Sequence, residues 1–459
     1  MSLLKNPAAS GEDRFTFLTR TPIPSLILTL SVPTILSMLV TGIYNTADTF
    51  FVGRISTQAT AAVGLVFSVM AIIQAFGFFC GQGSGTYLSR MLGAGNLKKA
   101  NEMSATGFAV SLIIGILITI IGNVFAVPLA RFLGAGETTM TDTLIYMRII
   151  LVGAPFTTGQ FVFNNQLRYQ GSAFYSMIGL MAGAIINIGL DPLLMFGFHM
   201  GVAGAAVATV CGQMISFFVL FIGSRMGENV HPSFSNVRLN WNYIRELLNG
   251  GRPSLFRQGL TAVATMLLNH AAGSAGGDAA IAGMSIVTRV LMLISSAVIG
   301  FGQGFQPVCS FNFGAGLKKR VKEAFLFCVK YGTVFLTCAA VLCMIFSPQI
   351  IGFFRDDPDV IRVGTVALRA QAIALPLMCT IFMTNMLLQS IGEGVKASIT
   401  SAARSGIFFI PLILILPRLF GLFGVEITQA AADVLAAALA IPLAAQEIRK
   451  LGQNAQTTE

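Results

Sequence analysis

Charged residues are scarce in this chain. Asp, Glu, Lys and Arg make up 10% of its 459 residues, against about 25% in ordinary soluble domains. So little charge excludes a soluble enzyme of this length, and an apolar content of 54% excludes a disordered chain. The composition therefore predicts a polytopic α-helical membrane protein with little mass outside the bilayer.

Several motifs of enzymes and metalloproteins are also missing. No CxxC pair occurs among the seven cysteines, which lie in or beside apolar stretches, and the three histidines (His199, His231, His270) are scattered. These patterns argue against a disulfide scaffold or a zinc site. The loop at 93–99 lacks the Gly-Lys-Ser/Thr ending of a phosphate-binding loop. We expect no enzymatic activity and no cofactor.

Long apolar stretches predict twelve membrane-spanning helices. Each is roughly twice the length of a barrel strand and apolar on all sides. The predicted spans are 25–51, 59–87, 104–127, 140–163, 173–197, 201–223, 243–271, 278–309, 323–346, 361–388, 397–418 and 425–446.

The basic residues predict the orientation of these spans. If the N-terminus is inside, 18 Lys and Arg residues lie in the inner segments and five in the outer ones, which by the positive-inside rule places both termini in the cytoplasm. The net charge of +10 thus lies in short loops, and we expect no nucleic-acid partner. The polar N-terminal segment, 1–24, carries no small-residue cleavage site, so no cleaved signal peptide is expected.

The two halves of the chain repeat each other at a constant offset in the numbering. Gln82-Gly83 matches Gln303-Gly304, the Gly-Ala-Gly at 93–95 matches that at 314–316, and Asn164 matches Asn385. We call this step, from Gln82 to Gln303, the repeat offset. Six spans separate the copies, so the halves share one membrane orientation, as in transporters with parallel repeats. Duplication without transport, as in some channels and scaffolds, is the alternative.

The repeat divides the chain into five parts. These are a cytoplasmic N-terminal segment (1–24), an N-lobe of six spans (25–223), a cytoplasmic connection (224–242), a C-lobe of six spans (243–446) and a cytoplasmic tail (447–459).

Carboxylates inside the predicted spans are rare and are candidates for function. Asn187 and Asp191 are spaced i and i+4 and share a helix face, as do Tyr44 and Asp48. Both aspartates lie at similar depth in the outer half of the N-lobe, with Tyr146 close by. Such a pair could hold a proton or, with neighbouring oxygens, a Na⁺ ion. Alternatively, both aspartates mark helix ends wetted by the outer interface.

Other polar and soft side chains have weaker claims. Asp433 could be the partner of a buried arginine such as Arg257 or Arg289. Soft methionine walls are typical of promiscuous binders, although core packing is the alternative for each. The candidates for a substrate path are Gln74, Gln258, Asn269, Met70, Met266, Met284 and Met292.

These residues resemble the multidrug and toxic compound extrusion (MATE) family, in its prokaryotic MepA-like branch. The resemblance rests on Pro33, the stretch Tyr44–Gly53, the repeated Gly-Ala-Gly loops, the stretch 164–171 and, most specifically, Asn187–Pro192. It covers about 20–450. The resemblance implies two six-helix bundles in a V, and export of amphipathic, often cationic compounds in exchange for Na⁺ or H⁺. It also implies the cytoplasmic membrane of a prokaryote, and we expect a monomer.

The resemblance further implies site residues. Matches to Asp48, Asn187, Asp191 and Thr209 form the core of the family's N-lobe cation site, with weaker matches at Tyr44, Tyr146 and Asn164, and bending at Pro33 closes that lobe's cavity. The NorM-like branch uses carboxylates in spans seven and ten, which are absent here.

Two other carriers remain as alternatives. A lipid-linked oligosaccharide flippase of the same superfamily would favour a cationic cavity, for which Arg257 and Arg289 are candidates. A major-facilitator carrier also has twelve spans, but Ser89–Gly93 lacks the Asp-Arg pattern of its inner loop.

Overall fold

A computed structural model of the chain describes the backbone of residues 13–456 and the side chains of 13–42 and 51–453. Helices account for nearly all of this part of the chain. They are α1 (Arg14–Arg20), α2 (Ile23–Gly53), α3 (Thr57–Gly93), α4 (Leu97–Val124), α5 (Ala126–Phe132), α6 (Met140–Val152), α7 (Ala154–Tyr169), α8 (Ala173–Pro192), α9 (Gly201–Ser224), α10 (Trp241–Gly314), α11 (Lys318–Phe354), α12 (Pro358–Ile391), α13 (Gly394–Ala402), α14 (Phe409–Phe420) and α15 (Leu422–Gln456).

Twelve membrane passes follow from these helices. Within the described residues, ten helical segments are long and apolar enough to cross a bilayer, and α6 with α7, bent by 48°, forms an eleventh. The 74-residue α10 supplies two passes, because Gly277 interrupts it with φ 64° and ψ −154°, a conformation that only glycine adopts readily. The all-helical fold predicted from the sequence is therefore confirmed, with the break after 271 lying at Gly277.

Two short elements escaped the span prediction. The segment 1–24 contains α1, and the connection after the third span contains α5. Short π-helical turns, Leu193–Gly197 and Ala403–Ile407, interrupt the fifth and eleventh passes. Such turns insert one residue into a helix and frequently lie at functional sites.

The internal repeat is visible in side-chain contacts. Asn164 on α7 donates to the carbonyl of Ser176 at 3.2 Å, and Asn385 on α12 donates to the carbonyl of Ala397 at 2.7 Å. The two donors are related by the repeat offset, and so are the two acceptors. The two lobes therefore share their internal helix packing as well as their sequence pattern.

The lobes meet at the end of the bundle that carries the two Gly-Ala-Gly loops, which we call the basic end. There a Cβ on Gly93 would meet the carbonyl of Phe311, and a Cβ on Gly314 would meet the carbonyl of Arg90. The repeat offset converts one contact into the other, because it relates Gly93 to Gly314 and Arg90 to Phe311. Such an exchange is expected when a pseudo-two-fold axis relates the two lobes. Only residues without a side chain allow backbones to approach so closely.

A second pair of exchanged contacts lies farther into the bundle. Gly83 on α3 packs against the backbone of Gly251 on α10, and Gly304 on α10 packs against Ser31 on α2. One helix from the first hairpin of each lobe thus packs against the other lobe, and these contacts close the basic end.

The N-terminal helix α1 bridges both lobes at the same end. Arg14 donates to Gln170 of the N-lobe at 3.3 Å. On the C-lobe side, Phe15 stacks edge-on against Phe311 at 5.8 Å, and Asn312 donates to the carbonyl of Leu18 at 3.0 Å. The predicted polar segment 1–24 is therefore partly a clamp across the interface.

In the part of the chain that the structure describes, hydrogen bonds between the lobes are found only along part of the bundle. Among the described residues, the hydrogen bond between the lobes farthest from the basic end runs from the Thr34 hydroxyl to the carbonyl of Gly300, at 2.6 Å. Helix α2 continues from there to Gly53, roughly 28 Å farther by helical rise. The described hydrogen bonds between the lobes are thus confined to the basic end, and α2 extends well beyond them.

Candidate functional site

The predicted cation site lies where α8 packs against α9. Four contacts between the two antiparallel segments recur every four residues along the chain, with one position left out at the site itself. They are Gly179 with Leu220, Gly183 with Ser216, Asn187 with Gly212, and Met195 with Gly204. The position left out lies midway between the last two contacts, and it places Asp191 opposite Ala208 and Thr209. Small residues every fourth position allow this close packing.

Three polar side chains are buried at that position. Asn187 is 2% exposed, Asp191 0% and Thr209 3%. The Asn187 amide donates to a carboxylate oxygen of Asp191 at 3.4 Å. The amide oxygen of Asn187 and the hydroxyl of Thr209 accept no hydrogen bond among the described residues. Buried polar oxygens without partners are costly, and here two of them lie beside a carboxylate.

Tyr146, another predicted site residue, lies on α6. It is fully buried, and its hydroxyl lies 4.0 Å from the sulfur of Met70. Both residues belong to the apolar cluster that contains Met195 and Ala205, one turn beyond Asp191. Tyr146 thus shares an apolar cluster with Met195, which follows Asp191 by one turn, and its role in the cation site stays a prediction.

Asn164 is not brought to this site. Its amide donates to Ser176, near the start of α8, and Asp191 lies fifteen residues farther along the same helix, roughly 22 Å by helical rise. In this conformation Asn164 joins α7 to α8. The predicted site residues Tyr44 and Asp48 have side chains outside the part that the structure describes.

Pro33 lies at the edge of the closed interface. Helix α2 runs through it without interruption, although proline leaves the carbonyl four residues earlier without its helical partner. Its neighbours Ser31 and Thr34 donate to carbonyls of the other lobe, at 3.1 Å and 2.6 Å. The predicted hinge therefore lies within a continuous helix here and is held on both sides by contacts between the lobes.

The predicted substrate-path residues fall into two groups. Met70 and Met284 are 7% and 2% exposed and pack inside the lobe cores, so neither lines open space in this state. The others are exposed or half-buried and remain candidates: Met266, Met292, Asn269, Gln74 and Gln258.

Asp433 has a different partner from the one predicted. Its carboxylate pairs with Arg404, Nε to Oδ1 at 2.7 Å, and accepts from Gln429 at 2.9 Å. The prediction of Arg257 or Arg289 is wrong, because Arg404 lies on the neighbouring pass of the same hairpin. Arg289 is exposed and Arg257 is half-buried.

A chain of buried amides at the basic end was not anticipated. Tyr169 donates to Gln82 at 2.6 Å, Gln306 bridges Gln82 and Gln389 at 3.3 and 3.0 Å, and Gln389 donates to the carbonyl of Gly250 at 2.6 Å. This chain crosses from the N-lobe to the C-lobe. The repeat relates Gln82 to Gln303 rather than to Gln306, so it does not predict this chain.

Arg90 closes the same interface nearer its edge. Its guanidinium pairs with Glu246 at 2.9 Å and donates to the carbonyl of Ile391 at 3.2 Å. Both acceptors belong to the C-lobe, whereas Arg90 ends α3 of the N-lobe. One side chain therefore ties two C-lobe helices to one N-lobe helix.

The chemistry of the N-lobe site suits a hard cation or a proton. It presents a carboxylate, an amide oxygen and a hydroxyl, the oxygen ligands that hard cations take. Among the described residues, no group of three or more His, Cys, Asp or Glu forms a site for a transition metal.

Comparison with known proteins gives consistent relatives. The chain is 30% identical to the multidrug export protein MepA of Staphylococcus haemolyticus (strain JCSC1435) over 415 residues, 90% of this chain and 91% of the relative. It is 28% identical to the protein of the same name from Staphylococcus aureus (strain MSSA476) over 435 residues, 94% and 95% of the two chains.

Solved structures share the fold over nearly the whole chain. A MATE crystal structure in the bent conformation superposes with a TM-score of 0.90 at 26% identity, covering 96% of this chain and 98% of the other. An outward-facing multidrug resistance MATE transporter of the MOP superfamily superposes at 0.88 with 27% identity, covering 95% and 98%.

The family model named MatE matches the chain twice, at residues 33–193 and 253–415. The two matches fall one in each lobe and begin at Pro33 and Pro253, so they reproduce the internal duplication. Together they span well over half of the chain, which therefore belongs to the MatE family.

Proposed function

We propose that this protein is a secondary active multidrug exporter, which moves amphipathic or cationic small molecules out of the cell in exchange for Na⁺ or H⁺. The observation that carries the proposal is the buried set Asn187, Asp191 and Thr209 in the wall of one lobe. The relatives named multidrug export proteins support the substrate class. A carrier of this kind needs one site whose charge changes with each cycle.

Asp191 supplies that change of charge. A carboxylate in a membrane interior costs several kcal/mol unless a cation or a proton neutralises it. The amide oxygen of Asn187 and the hydroxyl of Thr209 would complete the coordination of Na⁺, whereas a proton needs the carboxylate alone. Na⁺ and H⁺ are thus both compatible with the oxygen set.

Exchange requires the ion and the drug to favour opposite arrangements of the lobes. The lobes are closed at the basic end, so the cycle must break the contacts of Arg90, of the amide chain and of α1. Because basic loops face the cytoplasm, we place the basic end and both chain termini there. This conformation is then open to the outside of a prokaryotic cytoplasmic membrane, and a single chain suffices for the cycle.

The decisive experiment is dye transport in proteoliposomes with the two gradients imposed separately. We expect export of a cationic dye to accelerate roughly tenfold or more with either an inward Na⁺ gradient or an inward proton gradient, and with no gradient only leak. The measurement is dye fluorescence over time. Equal dye flux with and without either gradient would contradict the proposal.

Arg90→Ala is expected to weaken closure of the basic end. Loss of an ion pair and a hydrogen bond from a partly buried guanidinium costs about 1–2 kcal/mol, a factor of roughly 5–30 in the population of the closed state. The measurement is the distance between spin labels at Lys98→Cys and Lys319→Cys, both exposed, in a background where the exposed Cys338 is replaced by serine.

Arg238→Ala is the matched control for Arg90→Ala. Arg238 pairs with Glu102 at 3.5 Å, which joins the connection between the lobes to α4 of the N-lobe and does not cross to the C-lobe. Its label distances should match those of the parent protein. A shift in both variants, or in neither, would refute a latch role for Arg90.

A further inference from the structure

The ion pair of the C-lobe lies where the repeat places the cation-binding hairpin. The repeat offset aligns the start of α8 with that of α13, and the start of α9 with that of α15. Under the same offset, Gly183 corresponds to Arg404 and Gly212 to Asp433. The two glycines are therefore the N-lobe counterparts of the charged pair.

Contacts confirm that the two positions are equivalent. A Cβ on Gly212 would lie 2.9 Å from the carbonyl of Gly183, so these two residues touch across the α8–α9 interface. In the C-lobe, Arg404 and Asp433 make the corresponding contact with two nitrogen–oxygen approaches, at 2.7 Å and 3.4 Å. One helix–helix contact thus holds two glycines in one lobe and an ion pair in the other.

The C-lobe carboxylate is fully occupied. Asp433 is 0% exposed, and among the described residues its hydrogen bonds are to Arg404 on both oxygens and to Gln429 on one. Arg404 in turn lies over the ring of Phe382 at 5.4 Å and within 3.8 Å of the sulfur of Met378. The guanidinium is therefore held by one acid and an apolar wall, inside a membrane protein.

The oxygen ligands of the N-lobe site have no counterparts in the C-lobe. The positions equivalent to Asn187, Asp191 and Thr209 are Phe408, Leu412 and Ala430. At the level of Gly212 the C-lobe instead has a buried acid, Asp433, which is already paired with a cation attached to the chain. Two further acids of this hairpin are buried, Glu426 and Glu447, and Glu447 pairs with Lys396 and Lys450. A π-helical turn, Ala403–Ile407, contains the arginine.

We propose that Arg404 is a tethered counter-cation, which neutralises Asp433 permanently and so removes this carboxylate from ion coupling. This inference rests on the proposed function, because it concerns how many ions are exchanged per substrate. A cation that is covalently attached cannot leave during the cycle, so Asp433 contributes no change of net charge. Arg404 then keeps one carboxylate out of the coupling stoichiometry without touching the substrate.

Three variants separate this role from a merely structural one. Arg404→Met leaves Asp433 without its cation, Arg404→Met/Asp433→Leu removes both charges, and Arg404→Gln/Asp433→Asn removes both charges but keeps polar groups. Replacing both members of a buried ion pair is often neutral for stability. The two double variants therefore keep the experiment informative where the single variant does not fold.

The readouts are ion stoichiometry and ion binding. We expect net dye flux through both double variants to fall to zero at the same imposed Na⁺ or proton gradient as it does through the parent protein. Purified Arg404→Met should bind one additional Na⁺ or proton per molecule, counted with radioactive Na⁺ or a pH indicator, and the double variants should not. The inference would be overturned if net dye flux in the folded double variants stopped at a different gradient from that of the parent. It would also be overturned if folded Arg404→Met bound no additional cation.

Failure of the proposed function would look different. If the parent protein shows no cation-driven flux, the exporter proposal fails. The equilibrium count of ions on purified Arg404→Met and its double variants still decides whether Arg404 occupies the place of an exchangeable cation.

Discussion

Asp191→Asn abolishes cation-driven export, reducing dye flux under either gradient to the rate measured without a gradient. Asparagine has the shape of aspartate and can keep the contact with Asn187, but it removes the charge that a cation neutralises. Leaving a buried charge without its partner costs about 3–5 kcal/mol, which corresponds to more than a hundredfold loss of ion affinity. We expect the same result for Asp48→Asn, from the sequence alone.

The control for this experiment is the same substitution at an exposed aspartate. Asp356 lies exposed at the far end of the bundle, between α11 and α12, and Asp356→Asn should transport at the parent rate. Dye binding to purified Asp191→Asn separates loss of coupling from loss of the substrate site. Parental flux in Asp191→Asn under both gradients would eliminate this carboxylate as the coupling group.

Much of the fold could be predicted from the sequence, because hydrocarbon imposes a strong rule. Every backbone polar group must be satisfied within the segment, so long apolar stretches become helices, and the spans lie close to the observed ones. The rule does not apply to α1, a seven-residue helix held by contacts such as that of Phe15 with Phe311. No local pattern specifies such a helix.

The site was predicted unevenly, for an equally physical reason. The spacing of Asn187 and Asp191 places both on one helix face, which is a local property. The position of Thr209 beside them depends on the register of α8 against α9, which the sequence shows only through small residues at every fourth position. The resemblance to the family implies Thr209, whereas the register that brings it to the site is a property of the folded chain.

The partner of Asp433 shows what a repeat can add. From the chain alone, any buried arginine could pair with it. The repeat offset relates Asp433 and Arg404 to Gly212 and Gly183, and two glycines at facing helix positions are themselves a sign of close packing. The pair is indicated when residues that face each other in one half are mapped onto the other half, rather than when only identical residues are matched.

Gly314→Leu is expected to prevent closure of the basic end and to reduce transport more severely than Arg90→Ala. A Cβ at Gly314 would overlap the carbonyl of Arg90, and this is backbone, so no side chain can rotate away. Overpacking of this kind costs about 1–3 kcal/mol, which shifts the closed population by roughly 5- to 150-fold. Spin labels at Lys98→Cys and Lys319→Cys should report a longer distance, and gradient-driven dye flux should fall in proportion.

Gly259→Leu supplies the matched control, because it lies on the same helix, α10, and a Cβ there meets nothing within 4 Å. Its label distance and flux should equal those of the parent. Size-exclusion profiles distinguish an opened Gly314→Leu transporter from an unfolded one. If folded Gly314→Leu keeps the parental distance, the glycine contact is not what closes the lobes. Closure would then depend on the polar contacts of Arg90 and the amide chain, which Arg90→Ala tests independently.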